Sequence, residues 1–181
     1  MTEIEIKIAK KTLDVLKKKS WNSLTVSHVI KINNEKKTKI SSKLDLLKNI
    51  NRYVDDILIN KMKSIENSST KDMLFEVLMA RFDILQQHRS SFISIYKGFK
   101  KSPKHFIKLL PSFLESMIIT AELSKYNVNG LKGTIRLKGL MLVYFTTFSQ
   151  WLNDKSISLE KTMTSLDKNL DNAERFGKFL Q

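Results

Sequence analysis

Apolar residues recur along most of this chain at three- and four-residue steps, the period that places them on one face of an α-helix. Ile6, Ala9, Leu13 and Leu16 keep that step and predict a helix over 3–19. Lys17, Lys18 and Lys19 suit its electronegative end. Ile4, Ile6 and Ile8 also alternate as in a strand, so the first turn is open to either reading. Ser23 or Thr25 can cap a short second helix whose Val26, Val29 and Ile30 face inward. Asn33-Asn34 breaks the pattern, because Asn tolerates the left-handed backbone of a tight turn. The basic run Lys36-Lys37-Thr38-Lys39-Ile40 follows. A long helix is predicted over about 43–65, striped by Leu44, Leu47, Ile50, Val54, Leu58 and Met62.

Glu66 to Thr70 form a polar break, and Ser69-x-x-Asp72 resembles a capping box opening the next helix. That helix carries Met73, Leu74, Val77, Leu78, Phe82 and Leu85. A further helix over 88–101 groups Phe92, Ile95, Tyr96 and Phe99. Ser102-Pro103 reads as a cap with proline at the first helical position. Pro111 is expected to kink or split the segment 103–126. Residues 127–133 read as a loop, 134–153 as an apolar helix and 158–179 as a last helix with a near-heptad seam.

Composition agrees with this all-α reading. Five Gly and two Pro in 181 residues are too few for the tight turns of a sheet-rich fold. With 41% hydrophobic and 28% charged residues, the chain can bury a core. Cysteine is absent, which removes disulfides, thiolate metal sites and a cysteine nucleophile, and suits a reducing, cytoplasmic compartment. The most apolar stretch, 139–152, falls short of the roughly 20 residues a membrane span needs. The N-terminus lacks the continuous apolar run of a signal peptide. His28, His88 and His105 stand apart, and Asp55-Asp56 point in different directions on a helix. No phosphate-binding glycine loop or zinc-protease motif occurs. These features point to a binding protein rather than an enzyme, with no catalytic residue, metal site or cofactor to assign. The net charge of +14 favours polyanionic partners, although lysine-rich composition alone supplies part of it.

The order of parts adds a further indication. After a basic turn, Trp21-Asn22-Ser23-Leu24-Thr25-Val26 starts a short helix, and Ser42-Lys43-Leu44-Asp45-Leu46-Leu47 opens a long one. This resembles the N-terminal helix-turn-helix domain of TetR-family transcriptional regulators. The phrases from Leu74 to Asp83, Trp151 to Asp154 and Thr162 to Asp167 are similar to a divergent alphaproteobacterial branch of that family. That branch is in turn similar to a mitochondrial accessory protein of ubiquinone biosynthesis, which keeps the fold, binds isoprenoid lipid and does not regulate through DNA. The interval from Leu24-Thr25-Val26 to Ser42-Lys43 is about four residues shorter than the family's usual one.

The resemblance implies a TetR-like fold with a helix-turn-helix domain at 1–48, a linking helix over about 43–65, and a C-terminal regulatory and dimerisation domain at 69–181. It implies a DNA-binding transcriptional regulator responding to a small apolar ligand. The alternative is a lipid- or isoprenoid-binding accessory protein that leaves DNA alone. On the first reading, Lys36, Lys37, Lys39 and Lys43 meet phosphates of double-stranded DNA, with Thr25, Ser27 and Thr38 beside them. Phe82, Phe92, Phe99, Phe106, Phe113 and Met117 are candidates to line an apolar pocket, core packing being the plainer role for each. A homodimer is expected through Leu140, Tyr144, Phe148 and Trp151 on one helix and Met163, Leu166 and Leu170 on the next.

Overall fold

The computed structural model describes residues 1–33, 39–63 and 68–179, and among them the regular structure is entirely α-helical. The elements are α1 (Glu3–Leu16), α2 (Val26–Asn33), α3 (Lys43–Met62), α4 (Thr70–Gln87), α5 (Arg89–Lys101), α6 (Pro103–Leu123), α7 (Gly130–Asn153) and α8 (Glu160–Phe179). No described helix is long and apolar enough to cross a membrane.

Local chemistry sets several of these limits. The first turn of α1 is helical rather than extended, because Thr2 and Glu5 form a reciprocal capping box. The expected end at Lys19 retreats to Leu16: Lys18 and Lys19 both turn their N–H groups onto the Val15 carbonyl. At Ser69 the side chain caps α4, with the Asp72 N–H donating to Ser69 Oγ and the Ser69 hydroxyl donating to Asp72 Oδ2 (2.5 Å). Pro111 leaves α6 unbroken. Pro111 itself lies on the exposed side of the helix. The expected loop at 127–133 is shorter. Gly130 takes a φ of +70°, and a side chain on Gly133 would collide with the Val128 backbone, so α7 starts close against its preceding loop.

The chain divides into two compact units, each assembled from two stretches of sequence. Unit 1 comprises 1–57 and 84–116, and unit 2 comprises 58–83 and 117–181. Unit 1 is built on a core of Ile8, Leu13, Trp21, Leu24, Val29, Ile40, Leu46, Leu47, Ile50 and Ile95. Burying each such side chain contributes roughly 1.5–3 kcal/mol. A buried polar cluster ties α3 to α6 within it. Asn51 Nδ2 donates to Ser116 Oγ (2.7 Å) and to the Ser112 carbonyl (3.0 Å), and Ser116 Oγ donates to Asp55 (2.6 Å).

Unit 2 packs Leu74, Val77, Leu78 and Phe82 of α4 and Met117 and Ala121 of α6 into its core, together with the α7–α8 pair. Phe82, Tyr144, Phe148 and Trp151 form a run of stacked rings with centroids 5.3–6.2 Å apart. The α7–α8 connection is organised by one carboxylate. Buried Asp154 accepts from the Ser156 N–H and hydroxyl and from the Thr162 N–H (2.8 Å) and hydroxyl (2.9 Å). It thereby closes α7 and satisfies the first turn of α8 together. Leu159 is forced to a φ of +55° and compensates by burying its side chain.

Burial by itself would raise the Asp154 pKa, but the donors from Ser156 and Thr162 outweigh it and hold the carboxyl well below the usual carboxylate range. Because the folded value is depressed, this stabilisation is complete above the unfolded value of about 3.9 and is lost as pH falls towards the folded one. Asp154→Ala is therefore expected to cost about 2–4 kcal/mol at neutral pH in urea unfolding, since it orphans four donors. The gap between wild type and variant should narrow below about pH 4.

Candidate nucleic-acid interface

The candidate DNA-facing residues belong to unit 1, and its charge is uneven. Unit 1 carries nineteen Lys and Arg against eight Asp and Glu, whereas unit 2 carries thirteen against ten. Eleven of the fourteen net positive charges thus sit in unit 1. From Val15 to Leu44 eight lysines face a single acidic residue, Glu35.

The turn between α1 and α2 is fixed from beneath. The Trp21 indole is buried against Gly98 of α5, so closely that a β-carbon on Gly98 would come within 2.3 Å of the ring. The Trp21 N–H donates to Ser94 Oγ (2.9 Å), and Ser91 Oγ donates to the Leu13 carbonyl (2.6 Å). Lys43, at the start of α3, reaches back: its ammonium donates to the Trp21 and Asn22 carbonyls at 3.0 Å each and lies 5.5 Å from the Trp21 ring centroid. Burial pushes the Lys43 pKa down.

Leu24 and Val29 anchor α2 in the core, which leaves Thr25, Ser27 and His28 exposed at its first turn. Thr25 Oγ1 lies 3.0 Å from His28 Nδ1 and 3.2 Å from Ser27 Oγ. After the basic run, Ile40 is buried and exposed Lys39 lies just before it. Asp45 then holds the start of α3, its Oδ2 accepting from the Ser42 hydroxyl (2.8 Å) and N–H (2.9 Å) and from the Ser41 N–H (3.1 Å). The Ser42 hydroxyl and these further donors keep its pKa below the usual carboxylate range.

Thr25, Ser27 and Lys39 are thus exposed, while the Lys43 ammonium is held on backbone carbonyls; Lys36, Lys37 and Thr38 lie outside the described residues. The pocket candidates are divided between units. Phe92, Phe99 and Phe113 pack against the core of unit 1, where Phe99 also meets Phe106 at 5.6 Å between ring centroids. Phe82 and Met117 are buried in unit 2. A cleft of about 410 Å³ in unit 2 is lined by Lys71, Asp72, Phe75, Met163, Thr164 and Asp167, and by none of those six. Of the dimer candidates, Leu140, Tyr144, Trp151, Leu166 and Leu170 are buried within the single chain, Phe148 is half-buried and Met163 is exposed.

Sequence reasoning missed the Trp21–Gly98–Lys43 assembly and the Asp154 connector, whose partners are distant or on the far side of a loop. A legible sign did exist for the buried hydroxyls of α6 and the residue after it: Ser112, Ser116, Thr120 and Ser124 recur every fourth residue. The fold defines the class as an all-helical protein. No protein-family model matches the chain, and no curated protein matches it at a significant level.

The Trp21–Gly98 contact makes a direct expectation. Gly98→Ala should lower stability by about 1–3 kcal/mol through overpacking and alter Trp21 fluorescence. Gly139→Ala, where the added β-carbon meets nothing within 4 Å in the single chain, should raise that chain's stability by about 0.5–1 kcal/mol through helix propensity. Chemical denaturation of the two variants decides both.

Proposed function

We propose that this protein is a DNA-binding regulator of the TetR type, which meets duplex DNA with the exposed first turn of α2 and the lysine segment that follows it. The observation that carries this reading is the concentration of positive charge in unit 1, with eight lysines against one acid between Val15 and Leu44. Lysines of this kind neutralise phosphates and set position, while Thr25 and Ser27 supply short hydroxyl donors beside them. The Trp21 anchor and the Ser42–Asp45 cap support the reading, because they fix α2 and α3 at either end of the segment. Lys43 acts in this reading as a brace, holding the turn before α2.

In the same reading two copies pair through the outer face of α7. Leu131 (84% exposed), Ile135 (52%) and Leu142 (69%) lie on that face, with open space over Gly139 between them. A face of this kind is covered by a partner more readily than by water.

Fluorescence anisotropy with a labelled duplex tests the first claim. Binding should weaken as salt rises, with a slope of about −0.9 in log K against log salt for each phosphate contacted. Replacing Lys36, Lys37 and Lys39 together with Gln should lower affinity about tenfold or more and flatten the slope by roughly 2–3. Failure to bind at low salt, or a slope near zero, removes the reading. Light scattering tests the second: the wild type should have the mass of two chains and Leu142→Lys that of one. A wild-type mass of one chain ends that claim.

A further inference from the structure

A second basic surface lies in unit 1, away from the α2 segment in sequence and unlike it in kind. Between Ile84 and Leu114 the chain has six Lys and Arg and no Asp or Glu. Five of these cations, Lys97, Lys100, Lys101, Lys104 and Lys108, gather at the corner where α5 ends and α6 begins one residue later. All five are exposed. Lys100 lies over the Tyr96 ring at 5.0 Å, and none of the five has an acidic partner among the described residues.

Helix stability accounts for Lys100 and Lys101, which suit the electronegative end of α5, but not for the lysines that open α6. The N-terminal end of a helix is electropositive and favours Asp or Glu, yet the first turns of α6 hold Lys104 and Lys108 and the first turn has no acid. Apolar residues share the same face. Ile107 is 61% exposed and Leu114 is 38% exposed, with Pro111 exposed between them, at the i, i+4, i+7 spacing of one helical stripe. Leu109 is buried, and Phe106 and Phe113 are partly so, on the other side of the helix. The outer stripe of α6 therefore interleaves Lys104 and Lys108 with Ile107, Pro111 and Leu114, and exposed Glu115 closes it.

We propose that this face of α6, from Lys104 to Leu114, together with the lysines closing α5, docks on the surface of an anionic lipid bilayer. A nucleic-acid backbone would reward the lysines only and would leave Ile107 and Leu114 against phosphate and sugar. An anionic bilayer rewards both sets: the ammonium groups meet the headgroups while the apolar side chains enter the boundary with the acyl chains. Lysine suits this role, since its long apolar stem can lie along the interface with the charge kept outward. Attachment is peripheral and reversible, as expected of a short basic-apolar face on a folded protein. The inference rests on this corner alone and is independent of how the α2 segment is used.

Co-sedimentation of the full chain with vesicles tests it. Vesicles containing phosphatidylserine in phosphatidylcholine should retain the protein and release it in high salt, while vesicles of phosphatidylcholine alone should not retain it. Lys104→Gln with Lys108→Gln should lower partitioning about tenfold or more. Ile107→Ser should lower it severalfold with the salt dependence unchanged, a response that pure charge attraction would not give. All three positions are exposed, so circular dichroism should show unaltered helix content in these variants. The proposal is overturned if both vesicle types retain the protein equally, if neither does, or if the variants bind as well as the wild type. It is also overturned if the lysine changes abolish duplex binding and leave vesicle retention intact, because the corner is then a nucleic-acid surface. The Lys36, Lys37 and Lys39 replacements should leave vesicle retention unaffected, so failure of one reading does not carry the other with it.

Discussion

The seating of Trp21 against Gly98 is the contact on which the basic unit depends. The indole fills the space that a side chain at position 98 would need, and the backbone on either side of it is then bonded to α5 and to Lys43. One buried ring thus meets the close approach of Gly98 and the Lys43 cation together. This removes the freedom of the turn between α1 and α2, which is otherwise a run of polar and basic residues with little to bury. The direction in which α2 presents Thr25 and Ser27 follows from that clamp.

Charge in this protein is organised rather than spread. Unit 2 is close to balance, and several of its charged groups are paired locally: Lys71 with Asp171, Lys61 with Asp83, and Asp154 with the backbone of α8. Exposed pairs of the first two kinds add little to stability, whereas buried, multiply bonded Asp154 adds much. Unit 1 pairs Lys7 with Glu3 and Lys17 with Asp14, but its eight acids are too few to pair its nineteen cations. Like charges kept together on one unit repel and cost stability, a cost that the proposed polyanionic partners would offset. Its two lysine-rich segments differ in their surroundings: one is flanked by hydroxyls and the other is interleaved with exposed Ile, Pro and Leu.

Burial also redefines residues that look alike in sequence. The stripe of α7 reads as apolar nearly all round, yet Leu140, Tyr144 and Trp151 are spent inside the chain and Leu131, Ile135 and Leu142 are left outside. The six candidate pocket residues likewise divide between two cores, as expected when large apolar side chains settle wherever packing density can be completed.

Periodicity alone determined the all-helical class, the number of long segments and most helix limits to within a turn, because helix spacing and capping are local properties. It also determined that positive charge collects after the second helix. Where local signals competed, local sequence was insufficient: the capping box at Thr2 decided against a strand at Ile4, and α6 continues through the exposed Pro111. Only the tertiary structure decided that Lys43 binds carbonyls, that Asp154 joins α7 to α8, and that α3, α4 and α6 each contribute to both units. Those outcomes depend on which atoms distant parts of the chain bring within hydrogen-bond reach, a distance that spacing along a single helix does not encode.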